Sequence, residues 1–329
     1  MWEELHQIYH KEIPAFLIPY MLTPQMQRLK DVDMNCGMPF TSFPRYRNIN
    51  GYSRYDHSVG VACIVYHFTK DRRQTLAGLF HDIATPAFSH VIDFVNYDYL
   101  TQESTENMTG KIIRSSKEIM SLLEKDGIAA EEVEDYHIYP IADNDAPKLS
   151  ADRLEYTCGN ILNFSFGTLE DIQAYFDDLV ADQSSQELCF KNLTKAETFA
   201  MHALSCGRIY SSNENRYGME MLAGIIRKAM KCKIIETQDL FLPEKEIIRI
   251  LSLSEFKMDL QHFMNLDRVI QKQEQEEGCI RVYAKKRYID PLIIHKNRVS
   301  FCSKTFYNAL DAFLKESQEV YLKGLEYGE

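Results

Sequence analysis

Apolar residues recur along most of this chain at spacings of three and four, the signature of helices packed on one face, and strict alternation is scarce. The stretch SRYDHSVGVACIVYHF (53–68) puts His57, Val61, Ile64, Val65 and Phe68 on one helical stripe. RRQTLAGLFHDI (72–83) repeats the pattern with Leu76, Leu79, Phe80 and Ile83, so it predicts a helix that runs through His81 and Asp82. Thr85-Pro86 then reads as a helix restart, with Thr as N-cap and Pro in the first helical position. STENMTGKIIRSSKEIMSLLEKDG (104–127) predicts one helix stopped by Gly127. LSADRLEYTCGNILNF (149–164) and NRYGMEMLAGIIRKAMK (215–231) predict two more, the second with Met219, Met221 and Met230 as core filler. CIRVYAKKRYIDPLII (279–294) and NRVSFC (297–302) carry β-type content, and KTFYNALDAFLKESQEVYLKG (304–324) predicts a closing amphipathic helix. The fold class expected is mainly α, with a small β-containing piece near the C-terminus.

Composition narrows the function more than the fold. With 329 residues, 45% apolar and 26% charged, the chain can bury a sizeable core in one large domain or two smaller ones. Lys and Arg total 37 against 48 Asp and Glu, a net charge of −11, which disfavours nucleic acid as a partner because phosphate backbones are held by clustered bases. AKKRY (284–288) is a local exception. No apolar run reaches the ~20 residues that span a bilayer, and the acidic start MWEELHQIYHKEIP does not resemble a secretion signal. Eight scattered cysteines without a C-x-x-C pair fit reduced thiols, so the expected location is cytoplasmic, away from membranes.

The chemistry concentrates in LAGLFHDIATPAFSH (76–90), an apolar segment with adjacent His81 and Asp82. Two neighbouring residues can flank one point but cannot enclose an ion, so further ligands must come from neighbouring helices. His57, on the preceding helix, and Asp152, opening ADRLEY, are candidates. Two imidazoles and two carboxylates suit one divalent ion of the Mn, Fe, Co, Ni or Zn type better than Ca²⁺. The alternative is a pair of helix residues satisfied by hydrogen bonds or an ion pair.

The ordered segments TPQMQRLKDVDMNCG, SRYDHSVGVA, LAGLFHDIATPAFSH and ADRLEY resemble the HD-domain metal-dependent phosphohydrolases, most closely the deoxynucleoside triphosphate triphosphohydrolase (dGTPase-like) branch. The resemblance runs from about 23 to 160, with weaker likeness over 202–230, and implies an HD-type helical core. By position it makes His57, His81, Asp82 and Asp152 the ligands of one metal ion. It also puts Arg54 and Arg153 near substrate phosphate and Tyr156 in the pocket wall. Hydrolysis of a phosphoester or phosphoanhydride follows, with the metal polarising a phosphoryl oxygen and the arginines neutralising charge.

The chain also departs from that pattern. Ala84-Thr85 stands where the family has Gly and then His or Asn, Gln102-Glu103 where it has His-Glu, and Met34-Asn35 where Gln-Leu approaches the sugar. The remaining acid–base candidates are His90, Asp93 and Glu103, with Glu106 nearby; His90 and Asp93, three apart, can touch. His67, His137, His202, His262 and His295 have no motif around them.

The expected organisation is an HD-type phosphohydrolase domain over 1–234 and a C-terminal α+β extension over 235–329. The expected partner is a small phosphorylated substrate of nucleotide type, and the relatives' habit of assembling predicts a homo-oligomer. The competing reading is a binding or regulatory module that keeps the metal and has lost turnover.

Overall fold

The computed structural model describes residues 1–97, 108–182, 184 and 186–328. Among these, the chain opens with α1 (Trp2–Tyr9), α2 (Ile18–Met21) and α3 (Pro24–Arg28) and then forms the tightly linked pair α4 (Arg54–Thr69) and α5 (Arg72–Phe80). α6 (Val91–Val95), α7 (Thr109–Ser115) and α8 (Lys117–Asp126) lead to α9 (Ala151–Asn163) and α10 (Leu169–Phe176). A hairpin of β1 (Leu179–Asp182) and β2 (Glu187–Phe190) precedes the long helices α11 (Leu193–Tyr210) and α12 (Asn213–Lys231). The rest comprises α13 (Glu244–Ser252), α14 (Lys257–Asn265), β3 (Leu266–Lys272), β4 (Leu292–Ile293), α15 (Val299–Cys302), α16 (Lys304–Lys315) and β5 (Tyr321–Glu326). The fold is mainly helical with little strand, as the periodicity predicts.

Local chemistry fixes the helices that matter. Ser53 and Asp56 form a reciprocal capping box at the start of α4, Asp71 caps α5, and Ser150 accepts from the Arg153 amide to start α9. Gly78 lets α5 lie close on α4, since a Cβ there would stand 3.2 Å from Val61. Two apolar cores result. One gathers α1, α4, α5, α9 and α11 around residues such as Leu76, Phe80, Leu154 and Phe199. The other surrounds α12 with Phe88, Val91, Phe94, Leu222 and Ile226. Each fully buried Leu or Phe adds about 1.5–3 kcal/mol of transfer free energy. Residues beyond 235 feed both: Ile293, Phe306 and Phe313 join the first core, and Ile247, Phe263 and Leu322 the second.

Several boundaries differ from the periodicity. α5 stops at Phe80, so His81 and Asp82 occupy the turn after it. Thr85-Pro86 starts no helix: Phe88 and Ser89 take left-handed backbone angles, φ +62° and +49°, and α6 begins only at Val91. The expected helix ending at Gly127 is broken at Ser116, which turns extended and caps α8 through the Ile119 amide; Gly127 does close α8 in a left-handed conformation. The β-type content at 279–302 yields the two residues of β4, paired parallel with β2, and isolated bridges of Ile280 to Leu322 and of Leu292 to Arg298. Over 282–284 side chains take the place of a ladder: Arg216 donates to the Val282 carbonyl at 2.5 Å and Gln318 bonds both the amide and carbonyl of Ala284. Val299–Cys302 is a helical turn, because Asp290 holds both the amide and hydroxyl of Ser300. The last helix ends at Lys315, and YLKG becomes part of β5, paired with β3 where Tyr217 leaves no room for a side chain at Gly324.

Candidate metal centre

α4, the turn after α5, and α9 converge on one cluster of side chains. His57 sits in the first turns of α4 and is 1% exposed; Asp152 is the second residue of α9. His57 Nε2 lies 3.0 Å from Asp152 Oδ1 and 3.1 Å from His81 Nε2, and His81 Nε2 lies 3.7 Å from Asp152 Oδ1. One donor atom from each of the three falls within 4.8 Å of the others. Asp82 stands beside them, Oδ2 at 3.6 Å from His81 Nε2 and 3.8 Å from His57 Nε2.

The hydrogen bonds behind the imidazoles decide what the cluster needs. His57 Nδ1–H donates to Glu155 Oε2 at 2.5 Å, and His81 Nδ1–H donates to the Gly78 carbonyl at 2.7 Å. Both partners are acceptors, so each Nδ1 carries the proton and each Nε2 turns a lone pair inward. Two lone pairs facing carboxylate oxygens demand a cation. Ligands each about 2.1 Å from one ion and at right angles are about 3.0 Å apart, the spacing of His57 Nε2 to its two neighbours. The donor set therefore fits a divalent ion held by nitrogen and oxygen. Without one, a proton takes the place: burial pulls the His57 imidazole down, but hydrogen bonds to Asp152 and Glu155 carry it up to about 10.

Supports for the two sides come from different places. Glu155 is fully buried, three residues after Asp152 on α9, and also accepts the Tyr52 hydroxyl. Gly60 makes its position available, because a Cβ there would stand 2.5 Å from Glu155 Oε1. Glu155 and Tyr52 were missed at the level of motif; the Asp-x-x-Glu spacing of one helical face was the signal. Asp82 accepts from Arg54 Nη1 at 2.8 Å and from the Thr85 hydroxyl at 2.7 Å. Burial opposes its charge, yet Arg54, His81 and His57 hold its carboxyl well below the usual range; the His57 hydrogen bond does the same for Asp152. Arg28 donates to the carbonyls of Ile83 and Thr85 and so fixes the intervening turn.

The other residues singled out in the sequence spread around this cluster. Arg54 is buried, split between Asp82 and the Ser89 hydroxyl. Arg153 points into the loop before α9, onto Asp143 at 3.2 Å, the Lys148 carbonyl and Asn144. Tyr156, one turn beyond Asp152, faces Tyr210 of α11 at 6.4 Å between rings. His90 donates from Nδ1 to Asp93 Oδ2 at 2.9 Å, and Asp93 is buried. Burial holds the His90 imidazole below its ordinary value against the Asp93 bond, and the charges of Arg287 and Arg54 push the same way. Glu103 and Glu106 lie outside the described residues. Arg287, known from sequence only as part of AKKRY, bears electrostatically on His90, Tyr156 and Tyr210 together. Its backbone presses on α11 so closely that a Cβ at Gly207 would overlap the Arg287 carbonyl.

Residues 54–152 match the HD domain family model. An uncharacterized Bacillus subtilis (strain 168) protein, YdhJ, is 28% identical over 283 residues, covering 83% of this chain and 85% of its own. The metal-dependent phosphohydrolase cns2 of Cordyceps militaris is 26% identical over 185 residues, covering 54% of this chain and 50% of its own. Among solved structures, a hypothetical protein from Aquifex aeolicus superposes with a TM-score of 0.63 at 16% identity, covering 95% of this chain and 93% of that one. A phosphohydrolase from Bacteroides thetaiotaomicron VPI-5482 gives 0.63 at 14% identity, covering 96% and 97%. At these identities the structural likeness establishes the fold. Among the described residues no helix is long and apolar enough to cross a membrane.

Proposed function

We propose that this chain is a metal-dependent phosphohydrolase acting on a nucleotide or nucleotide-like phosphate ester or anhydride, in the manner of the dGTPase-like enzymes but with its own substrate. The observation that carries the reading is the convergence of His57 Nε2, His81 Nε2 and Asp152 Oδ1 with both Nδ1 protons committed elsewhere. The name of the Cordyceps militaris relative supports the same chemistry. His57, His81 and Asp152 would hold the ion, with Asp82 beside them. When bound, a divalent ion supplies a Lewis acid for a phosphoryl oxygen and lowers the pKa of coordinated water.

The chain's own residues set the rest. Glu155 keeps the His57 proton on Nδ1, which leaves Nε2 as the ligand atom. Arg54 fixes Asp82, and Arg287 supplies positive charge beside Tyr156 and His90, where a phosphate tail would need it in a protein of net charge −11. His90 is neutral at pH 7 with Nδ1–H on Asp93, so its Nε2 is the position that takes a proton. Asn35 lies near the sugar-reading position of the dGTPase-like branch and donates instead to Asp33 Oδ1 at 2.8 Å, which supports a different substrate.

Metal-loaded protein should hydrolyse at least one member of a nucleotide panel, with products resolved by phosphate number, and His81→Ala with Asp82→Ala should abolish it. The Thr85 hydroxyl, committed to Asp82 rather than turned toward a substrate, favours a second reading, a module that binds nucleotide without turnover. A thermal shift with nucleotide and no product would select that reading.

A further inference from the structure

The loop between Asp82 and α6 holds two consecutive non-glycine residues in the left-handed region, Phe88 and Ser89. Such geometry persists only where neighbours over-determine it. The neighbours here come from outside residues 54–152. The Ala87 amide donates to the Leu240 carbonyl at 2.8 Å, and the Phe88 amide donates to Glu244 Oε1 at 3.0 Å. The same Glu244 oxygen accepts the Asp33 amide at 3.1 Å. The Asp33 carbonyl in turn accepts the Ser89 hydroxyl at 3.1 Å. Glu244, Phe88-Ser89 and Asp33 thus close a ring of hydrogen bonds.

That ring has one arm toward the metal centre. Ser89 Oγ accepts from Arg54 Nε at 3.0 Å, and Arg54 Nη1 donates to Asp82 Oδ2 at 2.8 Å. His90 follows Ser89 directly, so the same loop aims its imidazole. Glu244 is 4% exposed and is the first residue of α13. We propose that Glu244, from the C-terminal region, is a positioning residue of the metal centre: its one oxygen clamps the Phe88 and Asp33 amides and thereby sets Ser89, Arg54 and the orientation of Asp82. The inference rests on the reading of the cluster as a metal site. Burial, with Asp33 beside it, holds the Glu244 carboxyl up near 8, so at neutral pH it mostly keeps its proton and Gln mimics it closely.

The test uses the full chain loaded with Co²⁺, whose visible absorption reports ligand geometry independently of turnover. Glu244→Ala should shift the Co²⁺ band and lower kcat about tenfold with KM little changed, the scale of a lost outer-shell partner. Glu244→Gln, which keeps the acceptor, should restore both. Ser89→Ala should reproduce the Glu244→Ala band and rate, and the double variant should be no worse than either single, because both lie on one line of contacts. A Co²⁺ band and kcat unchanged in folded Glu244→Ala would overturn the proposal. Should Glu244→Ala fail to fold, an unchanged band in Ser89→Ala overturns it equally. Wild-type protein that takes up no Co²⁺ would instead defeat the metal reading itself.

Discussion

His57 and Asp152 project from the first turns of two packed helices, whereas Asp82 sits in a turn and depends on a loop whose backbone is strained at two successive residues. On the helix side, Ser53, Asp56 and Ser150 start the helices within a turn, Gly60 of α4 makes room for Glu155 of α9, and Glu155 fixes His57, all within one pair of packed helices. On the loop side, Arg54 reaches Asp82 across 28 residues, and Glu244 reaches Phe88 across 156. One half of the centre is set by two helices packed on each other, and the other draws on a residue of the C-terminal region. The first half should withstand change in the C-terminal region, and the second should not.

Variants of the ligands themselves give the largest effect and test whether the two halves form one site. Asp152→Ala or His81→Ala should lose bound metal and reduce hydrolysis about 10³-fold or more, since Lewis-acid stabilisation is worth several kcal/mol. Metal content and initial rates measured on the same preparation check this. Next, Glu155→Gln and Thr85→Ala set the helix side against the loop side. Glu155→Gln removes the charged acceptor of a ligand histidine and should weaken metal affinity about 10–100-fold. Thr85→Ala deletes one hydroxyl donor to Asp82, which keeps Arg54, and should weaken it about tenfold or less. Chelator competition ranks the two; a larger loss from Thr85→Ala would reverse the comparison.

pH gives a subtler separation. In metal-free protein the folded His57 sits up at about 10, against about 6.5 when unfolded. Its contribution to stability is fully present below the unfolded value and is lost as pH rises from about 6.5 through about 10. Denaturant midpoints of chelated protein should therefore fall across that window. Metal affinity should rise across it, because the ion displaces the His57 proton. The smallest effect belongs to Arg287→Gln, which should raise KM several-fold for an anionic substrate with little change in kcat, the mark of an interaction made equally in ground and transition states.

What could be read from the sequence divides along the same line. The α4 and α5 helices, Gly127 and the mainly helical class follow from periodicity and caps, which act within a turn or two. His57, His81 and Asp152 lie together where the motif order puts them, with Asp82 beside them. The loop defeated local reading: Thr85-Pro86 resembles a helix start, yet the Thr85 hydroxyl donates a hydrogen bond to Asp82, and Leu240 and Glu244 accept from the next free amides. Asp290 likewise folds NRVSFC into a helical turn against its β-type composition. Arg287 and Glu244 carried no motif, since their roles exist only once distant stretches of the chain are packed together.

The most direct test of the metal centre is the metal content of the purified chain after chelation and reconstitution with Mn²⁺, Fe²⁺ or Co²⁺, measured beside the Asp152→Ala variant. The geometry predicts one ion per wild-type chain and far less than one in the variant. Wild-type protein that retains none of the three ions, or a variant that holds as much as wild type, would contradict it.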